Sequence, residues 1–221
     1  LSVDHYVTIG CDDIVEIVDK IGGIPIDVPE RIIYAADKII EPGEQVLDGE
    51  QAEWFVRYRK AYAMGDLGRA HTQRIFLAAC MKKAKDLGLS QVVSLIPSVY
   101  TNVSTDMSVG QMSDMAKLFI NVDLANCNMY MLPGEAVDPG VINDQYLYLM
   151  HKQEIADMLN LHFRNADEPV DGEYLDIKGT EYYGIESQTN AYDDDSSNFQ
   201  SIIDGDVPEV DRVYLPEYDL Y

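Results

Sequence analysis

The chain has 221 residues, 47% of them hydrophobic, and a formal net charge of -23. That is room for one sizeable domain with an appendage, and so acidic a surface repels a phosphate backbone, which excludes non-specific nucleic-acid binding. No apolar run reaches the roughly 18 residues of a membrane span, and Cys11, Cys80 and Cys127 are spaced for neither a short metal motif nor a disulfide framework.

The chain opens without an initiator Met on "LSVDHYVTIG", whose β-rich run "HYVTI" (residues 5–9) reads as a strand already under way, so a piece of a longer protein is expected. "CDDIVEIVDKIGG" follows, with Ile14, Ile17, Val18 and Ile21 at helical spacing and Gly22 or Gly23 to close it. Residues 24–29, "IPIDVP", alternate apolar side chains as a strand does, and the β–α–β rhythm favours an α/β fold. Asp48 with Gln51 three residues on forms a capping-box pattern for a short helix whose apolar stripe is Ala52, Phe55 and Val56. Asp66 is a second N-cap, for a long helix from Leu67 to about Lys85.

"LSQVVSLIPSVY" predicts a helix that stops before Pro97. Ser108 caps the next, with Met112, Met115, Leu118 and Phe119 expected inward. "NMYMLPGE" is expected as strand and turn, and "INDQYLYLMHKQEIADMLNLHF" as a closing amphipathic helix. Composition then shifts: from residue 165 to 221 sixteen acids face only Lys178 and Arg212, a net -14, with seven tyrosines. The expected organisation is an α/β domain over 1–163 and an acidic, Tyr-rich, loosely packed extension over 164–221.

Against that charge, the stretch "VRYRKAYAMGDLGRAHTQR" (residues 56–74) holds four of the seven arginines, Arg57, Arg59, Arg69 and Arg74, and one acid, Asp66. An extended exit from the short helix sets Arg57 and Arg59 on one side. Arg69 falls in the first turn of the next helix, with Gln73 four residues on and on the same face. A helix N-terminus offers unpaired N–H groups and the positive end of the dipole, and guanidinium forks bind phosphate oxygens in pairs. These residues suit a phosphate or pyrophosphate; the competing reading pairs them with surface carboxylates. Arg74 turns about 140° from Arg69 and is the weaker candidate.

The string "GEQVLDGEQAEWFVRYR…GDLGRAHTQR" resembles the signature of the LytR-CpsA-Psr family, and "VDHYVTIGCDDIVEIVDKIGGIPIDVP" and "MYMLPGE…INDQYLYLMHKQEIADML" are similar to that family's central and closing segments. The likeness spans about residues 1–160. It implies an α/β fold with a central mixed sheet flanked by helices, incomplete at the N-terminus. It also implies a phosphotransferase that moves a glycopolymer, such as teichoic acid or capsular polysaccharide, from a polyprenyl-pyrophosphate carrier to peptidoglycan. On the likeness Arg57, Arg59 and Arg69 hold the pyrophosphate, Gln73 assists, Arg74 is a further binding candidate, and Asp66 orients the arginines or acts as base. The partners implied are the lipid-linked glycan and peptidoglycan, outside the cytoplasm, with a membrane anchor and magnesium-binding aspartates expected upstream. Thr72 departs from the pattern, standing where the family usually has a basic residue.

Two rival readings accompany this one. A non-catalytic module could bind polyprenyl phosphate or sense wall precursors, and turnover separates it from an enzyme. A DNA-binding regulator is opposed by the charge and by the lack of a helix with spread basic residues. His71 turns about 200° from Arg69 on the expected helix, and His5, His151 and His162 stand isolated in sequence, with no serine or cysteine partner.

Overall fold

The computed structural model describes residues 3–58, 66–137, 147–164, 168–184 and 197–204. In chain order the elements are β1 (Val7–Thr8), α1 (Cys11–Lys20), β2 (Ile24–Val28), β3 (Ile32–Ala35), β4 (Lys38–Ile40), β5 (Gly43–Leu47), α2 (Gly49–Arg57) and α3 (Asp66–Tyr100). Then come β6 (Ser104–Thr105), α4 (Val109–Phe119), β7 (Asn128–Met129), β8 (Gly134–Val137), β9 (Leu147–Met150), α5 (Lys152–His162), β10 (Ser197–Asn198) and α6 (Phe199–Ile203). The expected α/β class is the class found. Among the described residues the strands form five two-stranded antiparallel ladders: β1–β6, β2–β5, β3–β4, β7–β10 and β8–β9. The β–α–β rhythm of β1, α1 and β2 therefore joins strands of different ladders. No described helix is long and apolar enough to cross a membrane.

The contacts divide the chain into two units, Val3–Met129 with the segment from Ser197 onward, and Tyr130–Ser196. In the first, β2 alternates buried Ile24, Ile26 and Val28 with exposed Pro25 and Asp27, as a strand with one covered face must. Leu47 of β5, Ile32 and Ile40 of the β3–β4 hairpin, Ala52, Phe55 and Val56 of α2, and Ile75, Ala78 and Ala79 of α3 complete the core. Phe199 and Ile202 of α6 are buried in the same core, and the Phe199 N–H donates to the Cys127 carbonyl at 2.9 Å. This part of the acidic C-terminal segment is packed.

Local chemistry explains the helix ends. α1 closes in a Schellman motif: the Gly23 N–H reaches the Val18 carbonyl at 2.9 Å and the Gly22 N–H the Asp19 carbonyl at 3.1 Å, with Gly22 at φ 77°. α2 starts with the expected capping box, Asp48 accepting from the Gln51 N–H at 2.9 Å and Gln51 accepting from the Asp48 N–H at 3.2 Å. Ser108 and Gln111 repeat the device for α4. Gly49 has a second duty, because a Cβ there would stand 2.2 Å from the Val15 carbonyl oxygen; its absence lets α1 and α2 touch backbone to backbone.

Four expectations are corrected. The helix through Pro97 does not stop there: α3 breaks at Gly88 (φ 75°, ψ 163°) and runs on to Tyr100. Pro97 lies one turn from the end, so its missing N–H costs a single bond. Asp66 is the first helical residue rather than the cap. Of the expected closing helix, residues 142–146 lie outside the described residues, residues 147–150 are strand, paired along their whole length with β8, and the helix found is Lys152–His162. On α4, Met115 is 55% and Leu118 67% exposed. The helix instead turns half-buried Met112, Ala116, Phe119 and Ile120 inward, at spacings of four, three and one.

In the second unit, β8 and β9 form a hairpin that leads into α5. His151, the N-cap of α5, is buried and lies between two carboxylates, Nδ1 2.9 Å from Glu154 and Nε2 3.4 Å from Glu135. The Tyr130 ring meets His162 at 4.4 Å. His151 and His162 are therefore tied into their surroundings, as is His5 of the first unit, whose Nδ1 is 3.1 Å from Asp106.

Candidate pyrophosphate site

α2 carries Arg57 in its last turn, and the chain leaves the helix extended at Tyr58 (φ -64°, ψ 135°). That matches the extended exit expected from the sequence. Tyr58 is buried, which raises its phenol pKa, with a hydrogen bond to the Ile33 backbone working in the opposite direction. The ring thus pins the exit of α2 to the β3–β4 hairpin. Arg59 lies outside the described residues.

The guanidinium of Arg57 is 48% exposed and bonds Glu53 at 2.5 Å, one turn back on the same helix. Its pKa is raised, chiefly by that hydrogen bond and next by Tyr34. It also lies 6.0 Å from the centre of the Tyr34 ring. The surface-carboxylate alternative is thus met in part, by one acid on Arg57's own helix. Half of this side chain stays open to solvent.

α3 begins at Asp66 and packs against α2. The Gln73 side-chain amide donates to the Val56 carbonyl at 3.2 Å, fastening the second turn of α3 to the last turn of α2. Arg69 lies one turn before Gln73 on the same helix face, so the bond brings the Arg69 end of α3 to the Arg57 end of α2. Thr72 is fully buried, and its hydroxyl donates to the Arg69 carbonyl at 2.9 Å. The position that departs from the family pattern thus faces the core in this chain. Arg74 is half-buried and lies about 140° round α3 from Arg69.

Arg57 and Arg69 are therefore delivered to one helix junction, and Gln73 is the fastening. Sequence reasoning missed the surroundings: Tyr34, Lys38 and Trp54 cluster beside Arg57. Tyr34 and Lys38 sit in a hairpin too short to show periodicity, and Trp54 in α2 carried no sign of them. Among the described residues no group of three or more His, Cys, Asp or Glu side chains could hold a metal ion.

Fold and junction define an α/β domain with a cationic helix junction. The LytR_cpsA_psr family model matches residues 1–164, and the chain belongs to that family. It is similar to the polyisoprenyl-teichoic acid–peptidoglycan teichoic acid transferase TagU of Bacillus mycoides, 30% identical over 166 residues, covering 73% of this chain and 53% of the relative. The crystal structure of B. subtilis TagV has the same fold, with a TM-score of 0.63 and 22% identity over 73% of this chain and 65% of that one. Protein gbs0355 of Streptococcus agalactiae matches with a TM-score of 0.65 and 22% identity, over 86% of this chain and 67% of its own. The chain spans about half the length of the curated relatives it matches.

Proposed function

We propose that this chain is the pyrophosphate-holding part of a phosphotransferase that moves a glycopolymer from a polyprenyl-pyrophosphate carrier to peptidoglycan, outside the cytoplasm. The observation that carries the reading is the Gln73–Val56 hydrogen bond, which sets the Arg57 and Arg69 ends of two helices together. The names of the TagU relatives supply the substrate class.

In this reaction a sugar hydroxyl of the wall attacks the phosphorus that bears the glycan. A new P–O bond forms to the acceptor, the bridging P–O bond breaks, and polyprenyl phosphate leaves with the electron pair. The hydroxyl proton passes to a carboxylate or to water. Arg57, Arg59 and Arg69 neutralise the charge that gathers on the bridging and equatorial oxygens, a role for preorganised cations. Gln73 positions the junction, and Arg74 is a further contact to the substrate. Asp66 orients the arginines or takes the proton.

The test is turnover in the whole protein, with a synthetic lipid-linked glycan and peptidoglycan. Arg57→Ala with Arg59→Ala is expected to lower kcat/KM by about a hundredfold or more. Full activity in that double variant sinks the proposal. Binding without turnover by the wild type favours the non-catalytic module instead.

A further inference from the structure

Arg57 is held from two sides. Its Nη1 donates to Glu53 Oε1 at 2.5 Å, one turn back on α2, and its guanidinium carbon stands 6.0 Å from the centre of the Tyr34 ring. An acid four residues before its cation is the favourable order for such a pair on a helix. Tyr34 comes from a second element. Ile32 pairs with Ile40, Ile33 with Ile39 and Ala35 with Lys38, so Tyr34 is the extra residue of a β-bulge, a device that re-aims a side chain. Its ring lies against that of Trp54, planes 11° from parallel, and Trp54 is buried in the core. The ring beside Arg57 therefore stands on a fixed base.

The two members of the ion pair differ in exposure. The Glu53 side chain is 18% exposed and that of Arg57 48%. Among the described residues, Arg57 is the one hydrogen-bond partner of the Glu53 side chain. If Arg57 swung away to meet a ligand, a mostly covered carboxylate would lose its partner. Breaking such a pair from one side costs more than the intact pair contributes, so Arg57 stays on Glu53. A guanidinium carries five N–H donors in a rigid fork, and this one gives a single donor to the described residues. The remaining donors lie on a side chain that is half open to solvent, and they can take phosphate oxygens while Glu53 keeps its hold.

We propose that Glu53 is a positioning residue of the pyrophosphate clamp: it fixes Arg57, against the Tyr34 ring, so that the open donors of the guanidinium meet the phosphate already aimed. The inference rests on the clamp reading and adds to it an acid that never touches the ligand. Because the Glu53–Arg57 pair is neutral as a whole, Arg57 contributes direction to the clamp more than charge.

The test uses the 221-residue chain and two neutral replacements. Glu53→Gln keeps an acceptor oxygen within reach of Arg57, and Glu53→Ala removes it. Both remove the same negative charge, so the difference between them reads position alone. In titrations with farnesyl pyrophosphate, the Kd of Glu53→Ala should lie about three- to tenfold above that of Glu53→Gln, the effect of leaving one long side chain to be ordered on binding. In an Arg57→Ala background the two should bind equally. Without ligand, NMR relaxation of the Arg57 Nε–Hε group should show it rigid in the wild type and in Glu53→Gln, and mobile in Glu53→Ala. Equal Kd values for the two variants overturn the inference, because the acid then acts through charge alone. A difference that survives in Arg57→Ala overturns it too, because the acid then acts through the helix at large. An Arg57 group equally mobile in all three chains sinks the hold and leaves the clamp standing. A rigid Arg57 in a wild type that binds no farnesyl pyrophosphate sinks the clamp reading instead.

Discussion

Gly49→Ala should destabilise the protein even though alanine is the better helix former. The added Cβ would stand 2.2 Å from the Val15 carbonyl oxygen and 2.8 Å from the carbon that bears it. Both are backbone atoms of α1, so no side chain can swing away, and the two helices must part. Overpacking of this kind costs about 1–3 kcal/mol. Parting also stretches the 2.8 Å bond from the Gly49 N–H to the Asp19 carboxylate, and hydrogen bonds to charged groups contribute about 1.5–3 kcal/mol. The propensity gain returns at most about 1 kcal/mol, leaving a net loss of at least about 1.5 kcal/mol. The assay is urea unfolding followed by the fluorescence of Trp54. Gly110→Ala in α4 is the matched control, because a Cβ there meets only the Ser108 hydroxyl at 3.8 Å; it should be neutral or stabilising. A Gly49→Ala midpoint at or above the wild type, or an equal loss in Gly110→Ala, would refute the reasoning.

Phe199→Ala should cost about 3–5 kcal/mol, the range for a buried phenylalanine, measured by the same unfolding curve; a loss under about 0.5 kcal/mol would mean that α6 is not part of the core. Burial pushes the Cys80 thiol up to about 12, so at pH 8 iodoacetamide should modify exposed Cys11 and leave Cys80 intact until the chain unfolds, as mass spectrometry of the digest would show. The Asp106 carboxyl is held below its ordinary value, first by the Tyr6 N–H and then by His5. Its grip on the β1 end is therefore complete above about pH 3.9 and is lost as pH falls through the lowered value. Amide exchange of Tyr6, corrected for its intrinsic pH dependence, should accelerate only below that point. Gln73→Leu releases the Val56 carbonyl and should weaken binding of farnesyl pyrophosphate more than it lowers the unfolding midpoint, because the bond positions the junction.

What was legible in the sequence was local chemistry. The Asp48–Gln51 and Ser108–Gln111 boxes, the glycine close of α1 and the period-two pattern of β2 are each decided within a few residues. The arginine motif was legible because its spacing is dense. Long-range packing was not. Met115 and Leu118 are apolar and helical, yet which face of α4 turns inward depends on what α3 presents to it. Residues 147–150 mix helix and strand formers, and the cross-strand partners Gly134–Val137 settle the matter from outside the window. Pro97 stops most helices, but one turn from an end its cost is small enough for packing to override. Tyr34 beside Trp54 needed a bulge to bring it there, and a bulge of one residue leaves no periodic trace.

The central claim is that the arginines at the α2–α3 junction hold a pyrophosphate. Calorimetric titration of a short-chain polyprenyl pyrophosphate into this chain, with and without magnesium, beside the Arg57→Ala, Arg59→Ala double variant, tests it most directly. The account predicts saturable binding by the wild type that the double variant loses. Equal binding by the two, or none by the wild type, would contradict it.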